Sequence, residues 1–228
     1  MIRSAATLAF LLLAAPLAAE EGAKPEINRP YVANTDVAAW NRAFESERRE
    51  VYVKRDEIVA ATGAKPGMTV ADIGAGTGLF TMLFANAVKP GGSVVAVDIS
   101  PAFVEYIQET AKKRRMRNVT AVLGNGSDVG LPEASMDLAY LSDVYHHFEH
   151  PEETLASIRK ALKPGGRMVV IDYERIPGKT PKARIEHVRV DKQQAIREIE
   201  AAGFKLLEQK KLMRENYFLV FGQAPTQN

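Results

Sequence analysis

The stretch Val70-Ala-Asp-Ile-Gly-Ala-Gly-Thr-Gly78 sets a short apolar run, an acid and three glycines at alternate positions directly ahead of the apolar segment 79–88. A run of that length suits a buried parallel strand, and residues 79–88 suit a helix. Glycines between the two let the backbone turn tightly and come close to a ligand. A glycine loop that leaves the carboxyl end of a strand and opens a helix is where open α/β sheets bind nucleotide-like ligands. The chemistry expected at residues 72–78 is therefore cofactor binding.

Spacing narrows the ligand. A dinucleotide fingerprint needs G-x-G-x-x-G, but here Leu79 takes the third glycine's place and Gly78 falls one residue early. With Asp72 two residues ahead of Gly74, the motif resembles the first motif of class I S-adenosylmethionine-dependent methyltransferases. That resemblance implies that Asp72, Gly74, Ala75, Gly76 and Gly78 pass the methionine half of S-adenosyl-L-methionine. A second apolar run, 92–98, ends in Asp98 about 20 residues past the loop, where a carboxylate can accept bonds from ribose hydroxyls. A nicotinamide enzyme would show the same acid, so Asp98 argues for an adenosine-type ligand and Leu79 does the separating. In the family the equivalent acid binds both ribose hydroxyls, a role the resemblance carries to Asp98, with Ile99 beside it.

A third run, 119–124, leads into Asn125-Gly-Ser-Asp128. The family usually has Gly-Asp-Ala here, reading the adenine edge, and this chain departs from it. Asn125 offers both a donor and an acceptor and, with Gly126, could face the adenine amine. Asp128 is the rival, and an Asx-rich turn without any ligand role is an open alternative for each.

The run 136–141 is the fourth expected strand. It is followed by Ser142-Asp-Val-Tyr-His-His-Phe-Glu-His-Pro151, which holds three of the chain's four histidines. The segment resembles the family's post-strand stretch, which implies that Ser142 touches the cofactor and that Asp143, Tyr145, His146 and His147 lie near the transferred methyl. Methyl transfer is an in-line displacement in which the protein mainly aligns the reactants and excludes water. A base is needed only where the acceptor loses a proton, and imidazole suits that task. His146 or His147 is the candidate base or acceptor-orienting group, with Asp143 as a third catalytic candidate. His146 and His150 are four apart with His147 adjoining. Pro151 ends any local helix, and no cysteine or clustered carboxylates complete a set, so no metal is expected.

The elements that must position these residues form an α/β pattern. The expected fold is a doubly wound, seven-stranded, mostly parallel sheet of the Rossmann-like methyltransferase type. Its final hairpin, 204–210 and 216–221, contributes an antiparallel last strand. Two Lys-Pro-Gly-Gly turns, at 89–92 and 163–166, are read as stopping one helix each and launching the next strand. Ahead of the sheet, residues 37–60 read as one helix with a broken apolar stripe. The resemblance makes it a lid that would bring Tyr31, Trp40, Arg48 or Tyr52 near the acceptor, although simple packing on the sheet explains it as well. The polar stretch 173–190 is long enough to be functional, making Tyr173, Arg175 and His187 second-rank candidates beside the plainer reading of a solvated basic loop.

Residues 1–19 resemble a cleavable signal peptide: a basic start at Met1-Ile-Arg3, an apolar run from Ala5 to Ala15 too short to span a bilayer comfortably, and a site near Ala19. The expected organisation is then a linker and lid-like helix over 20–62, a methyltransferase domain over 63–222, and a tail over 223–228. Export to the periplasm or medium is expected, with no stable membrane insertion after cleavage. The formal charge is only +2 and no basic face carries interleaved aromatics, so no nucleic acid partner is expected. With 46% hydrophobic and 25% charged residues the chain can bury an ordinary globular core. The expected partner is a small-molecule methyl acceptor, as in the quinone methyltransferase branch that the pattern resembles. The alternative is a non-catalytic sensor or scaffold that binds the same cofactor.

Overall fold

The computed structural model describes residues 22–225. The expected signal peptide lies outside the described residues, as does the end of the expected tail. Four short helices come first: α1 (Arg29–Val32), α2 (Val37–Phe44), α3 (Glu50–Val53) and α4 (Arg55–Thr62). The continuous helix expected over 37–60 is therefore broken. Asp36 caps the start of α2 by accepting from the Ala39 amide at 2.9 Å. The helix stops at Phe44 because the Arg49 guanidinium takes the Phe44 carbonyl at 3.1 Å, while Ser46 Oγ accepts from the Arg48 amide and competes with helical bonding.

The rest alternates strand and helix: β1 (Thr69–Ile73), α5 (Leu79–Ala87), β2 (Ser93–Asp98), α6 (Pro101–Lys113), β3 (Val119–Leu123), β4 (Met136–Ser142), α7 (Pro151–Ala161) and β5 (Leu162–Tyr173). After α8 (Lys182–His187) and α9 (Lys192–Ala201) come β6 (Phe204–Lys210) and β7 (Asn216–Gln223). One seven-stranded sheet results, in the order β3-β2-β1-β4-β5-β7-β6. Only β7 runs antiparallel to its neighbours, β5 and β6, so the expected sheet class is what the chain adopts. The turn expected at 163–166 instead lies inside β5. Leu162 already pairs with Met136, and the register jumps to Leu138 opposite Arg167, so the Pro-Gly-Gly segment bulges out of the ladder.

The central strands are apolar on both faces. Val70 and Ala71 of β1, Tyr140 and Leu141 of β4 and Val169 to Ile171 of β5 are fully buried, so the sheet needs helices on both sides. Leu155 and Ile158 of α7 with Ile196 and Ile199 of α9 cover one face. Ile58 of α4 with Phe80 and Phe84 of α5 cover the other. A side chain buried like Phe84 gains roughly 2–3 kcal/mol over its exposed state. The strand order reverses between β1 and β4, and such switch points open a crevice at the carboxyl ends of the strands. Asp72, Asp98 and Ser142 all stand at those ends.

Candidate active site

The glycine loop is shaped by close approach. Gly74 has φ +68°, and a Cβ there would lie 2.2 Å from Val144 Cγ2, so the loop can press against the segment after β4 only without a side chain. Gly76, at φ +55°, donates its amide to Asp98 Oδ2 at 2.8 Å. Asp98 Oδ1 accepts from the Ser100 amide at 2.9 Å. Burial pushes the Asp98 carboxyl up to about 6 in spite of these amides. Gly78 is left-handed and forms the N-cap of α5.

Asp72 is almost completely buried and accepts one side-chain bond, from Thr81 Oγ1 at 2.6 Å. With no cation beside it, burial raises its pKa to about 7. Two clefts meet at the loop, sharing Gly74, Gly76 and Phe44. The larger holds about 760 Å³ of empty space and is lined by Asp98, Ile99, Asn125, Gly126 and His147 among others. The smaller, about 480 Å³, is lined by Asp72, Ala75, Thr77, Ser142 and Arg49. Thr77 Oγ1 and Ser142 Oγ are buried without a hydrogen-bond partner. A buried carboxyl without a paired cation and two unpaired hydroxyls suit the charged, polar end of a ligand.

The adenine candidates separate. Asn125 and Gly126 line the larger cleft, but Asn125 Oδ1 is turned into its own loop, accepting from the Ser127 and Asp128 amides at 2.9 and 2.7 Å. Its amide nitrogen is the group left for a ligand. Asp128 accepts from the Gly130 amide and stays exposed as part of the turn.

A strap crosses the mouth. Tyr31 stacks near Trp40 at 4.5 Å, Trp40 on Phe44 at 5.3 Å, and Phe44 packs on Phe103 at 6.1 Å. Tyr31 also meets the His147 ring edge-on at 5.3 Å. Asn28 pins one end, its amide nitrogen donating to the His147 carbonyl and to Glu149 Oε1. Arg49 pins the other through Asp143 at 2.5 Å. Of the lid candidates, Tyr31 and Trp40 take part in this strap, and Arg49, next to the candidate Arg48, does the anchoring. Asp143 has φ +53°, and its second oxygen accepts from Asn216 at 2.6 Å. Its ion pair with Arg49 makes it an anchor for the strap.

The histidines have distinct settings. His146 is buried, with Nδ1 2.8 Å from Asp172 Oδ1 and its backbone amide donating to Oδ2 at 3.1 Å. Burial disfavours the imidazolium, yet the Asp172 carboxylate outweighs it and holds His146 above its ordinary value. His147 lines the larger cleft and pairs Nδ1 with Asn28 Oδ1 at 3.1 Å. Burial and the fields of His146 and His187 drive it down to about 3. It is neutral at any physiological pH. The two candidates are therefore not equivalent: His146 holds a proton well, and His147 presents a neutral ring to the cleft.

Residues 71–170 match the family model described as a methyltransferase domain. That segment is thus similar to a methyltransferase domain. The ubiquinone/menaquinone biosynthesis C-methyltransferase UbiE of Ectopseudomonas mendocina is 30% identical over 128 residues, 56% of this chain and 50% of that one. Demethylmenaquinone methyltransferase of Symbiobacterium thermophilum is 32% identical over 117 residues, 51% of this chain and 47% of that one. The chain thus spans about half the length of these curated relatives. A SAM-dependent methyltransferase from Aquifex aeolicus shares the fold, with a TM-score of 0.73 at 21% identity over 82% of this chain and 98% of that one.

Besides Arg49, the residues Asp172, Thr81 and Asn28 escape a reading of the sequence. Asp172, which holds His146, is the next-to-last residue of β5, as Asp72 is of β1, and Asp98 ends β2; that shared strand-end position is the available signal. Thr81, which bonds Asp72, lies nine residues on and one helical segment away. Asn28, 119 residues from His147, had no local signal at all.

Proposed function

We propose that the chain is an S-adenosyl-L-methionine-dependent methyltransferase acting on a small-molecule acceptor. The observation that carries the reading is the pair of clefts joined at the glycine loop, with a buried, unneutralised Asp72 in one and Asp98 and His147 in the other. When bound, S-adenosylmethionine supplies a methyl group on a sulfonium, an electrophile that reacts by alignment. Asp72, Thr77 and Ser142 hold the amino-acid end in the smaller cleft, where an ammonium group neutralises Asp72. Asp98 accepts the ribose hydroxyls, and the Asn125 amide nitrogen with the Gly126 backbone takes the adenine edge.

The aromatic strap excludes water and presents Tyr31 beside His147 to the acceptor. His147, neutral and fixed through Asn28, orients the acceptor. His146, held by Asp172, is the stronger proton acceptor behind it. The aromatic rings of the strap beside His147 favour a compact, partly planar acceptor. The relatives whose names specify ubiquinone/menaquinone biosynthesis are consistent with that shape. A transfer screen using S-adenosylmethionine with a labelled methyl, run against cell extracts fractionated by size, tests the reading. Label should enter small molecules, and His146→Ala and His147→Ala should slow it. Cofactor binding without transfer to any fraction would leave a binding protein in place of an enzyme.

The apolar leader also supports export of the protein. Fractionation of the native host should find a processed form outside the cytoplasm, whereas full-length protein in the cytosol would overturn this. Among the described residues no helix is long and apolar enough to cross a membrane.

A further inference from the structure

Beside the larger cleft, His146 and His147 meet a third ring from far along the chain, His187 at the end of α8. One ring nitrogen of each lies within 4.8 Å of those of the other two. The ring centroids are 4.2, 5.0 and 5.2 Å apart. Three imidazoles this close cannot all become imidazolium without strong repulsion, but as neutral rings their lone pairs can share one cation.

The surroundings are those of a ligand set. His146 Nδ1 faces the Asp172 carboxylate and His147 Nδ1 faces Asn28 Oδ1. In each case the oxygen acceptor fixes the ring proton on Nδ1 and leaves Nε2 as a lone pair. The buried Nε2 of His146 has no hydrogen-bond partner. An imidazole tied through one nitrogen to a carboxylate or amide oxygen, with the other nitrogen free, is the usual arrangement around a bound metal.

We infer that His146, His147 and His187 bind a divalent transition metal ion, with Asp172 and Asn28 as the outer supports that aim the buried His146 ring and the half-buried His147 ring. An all-imidazole set favours zinc or a neighbouring first-row ion over magnesium or calcium, which take oxygen ligands. Three protein ligands leave zinc one position for water or for an acceptor oxygen. The last point rests on the proposed function, because that reading seats the acceptor against His147. An acceptor hydroxyl entering that position would lose its proton to solvent, and the metal would then replace His146 as the means of removing it.

The ion site is testable without turnover. Tag-free full-length protein, stripped with a chelator, is titrated with zinc by calorimetry in the absence of S-adenosylmethionine. One zinc per chain at micromolar affinity or tighter is expected. His187 is exposed, so His187→Ala should keep the fold, confirmed by circular dichroism, while weakening zinc at least about tenfold. Asp172→Asn should weaken it by about 10- to 100-fold. Cobalt(II) in place of zinc should give the visible absorption of a low-coordinate nitrogen site, lost in His187→Ala. No stoichiometric zinc in the wild type, or binding indifferent to His187→Ala and His147→Ala, would overturn the inference. A parallel titration with S-adenosylmethionine tells that failure apart from failure of the methyltransferase reading.

Discussion

Replacing Asp72 by asparagine tests whether the smaller cleft is built for a cation. The wild-type carboxyl is buried to 3% exposure, has Thr81 as its only side-chain partner among the described residues, and is pushed up to about 7. An ammonium-bearing ligand needs the carboxylate, so below pH 7 binding must also remove a proton. Affinity should then fall about tenfold for each pH unit, giving about 10-fold weaker binding at pH 6 than at pH 7.5. On the alkaline side it should decline again as the ligand's own amino group, with a pKa of about 8, loses its charge. Asp72→Asn should flatten the acid limb and weaken binding by about 10- to 100-fold, the loss of one charged hydrogen bond. Stability should change with the opposite preference. A carboxyl whose folded pKa lies above its unfolded value holds its proton better when folded, so stability falls as pH rises from about 4 to about 7, by roughly 4 kcal/mol, and then levels off. The asparagine variant should lack that fall and be the more stable form above pH 7. Calorimetric titrations with S-adenosylmethionine from pH 5.5 to 8.5, paired with urea unfolding, read both effects. A dissociation constant that stays level between pH 5.5 and 7.5 in the wild type would refute the reasoning.

Gly74→Ala should lower stability by about 1–3 kcal/mol and cut cofactor affinity, because its Cβ falls 2.2 Å from Val144 Cγ2 at a positive φ; an unchanged unfolding midpoint would be the contrary result. Phe44→Ala removes the ring that packs on Trp40 and Phe103 over Gly76. Stopped-flow binding should show faster cofactor release with little change in the folded core. Asp172→Asn strips the buried partner from His146 and should cost about 3–5 kcal/mol near neutral pH. His146 sits above its ordinary value and Asp172 below. The pair's contribution is therefore whole between about pH 4 and 6.5, fading on acidification and again as pH rises through the folded His146 value. Urea unfolding of the two proteins across pH 3 to 9 should show their largest gap inside that window.

The sheet was legible because its strands are short apolar runs closed by turn residues, and local sequence carries that signal. Asp72 and Asp98 were legible for the same reason: each follows its apolar run at a spacing that the sheet converts directly into position. What stayed hidden depends on partners far apart in the chain. Arg49 breaks the expected helix because its guanidinium serves both the Phe44 carbonyl and Asp143. Neither the break nor the anchor has a local pattern. His150, adjacent in sequence to the histidine pair, was the natural third member of a cluster, yet His187 is the ring that arrives, delivered by α8 from a stretch that reads as polar loop. Asn125 shows the reverse case, a residue with the right donors and acceptors for adenine whose carbonyl oxygen is taken by its own turn.

Asp72, Asp98 and Asp172 extend the point from position to chemistry. All three are buried acids at the carboxyl ends of parallel strands, where the sheet gathers side chains that sequence keeps dozens of residues apart. Burial alone would raise each one's pKa. What differs is the partner. One hydroxyl leaves Asp72 at about 7, backbone amides bring Asp98 to about 6, and the His146 imidazole pulls Asp172 below its ordinary value. Asp72 is thereby ready for a cation, Asp98 can accept from neutral hydroxyls, and Asp172 is committed to holding a ring in place. Residue type and strand-end position are shared by the three. The division of labour comes from Thr81, the amides of Gly76 and Ser100, and His146, and only the fold sets each of these beside its acid.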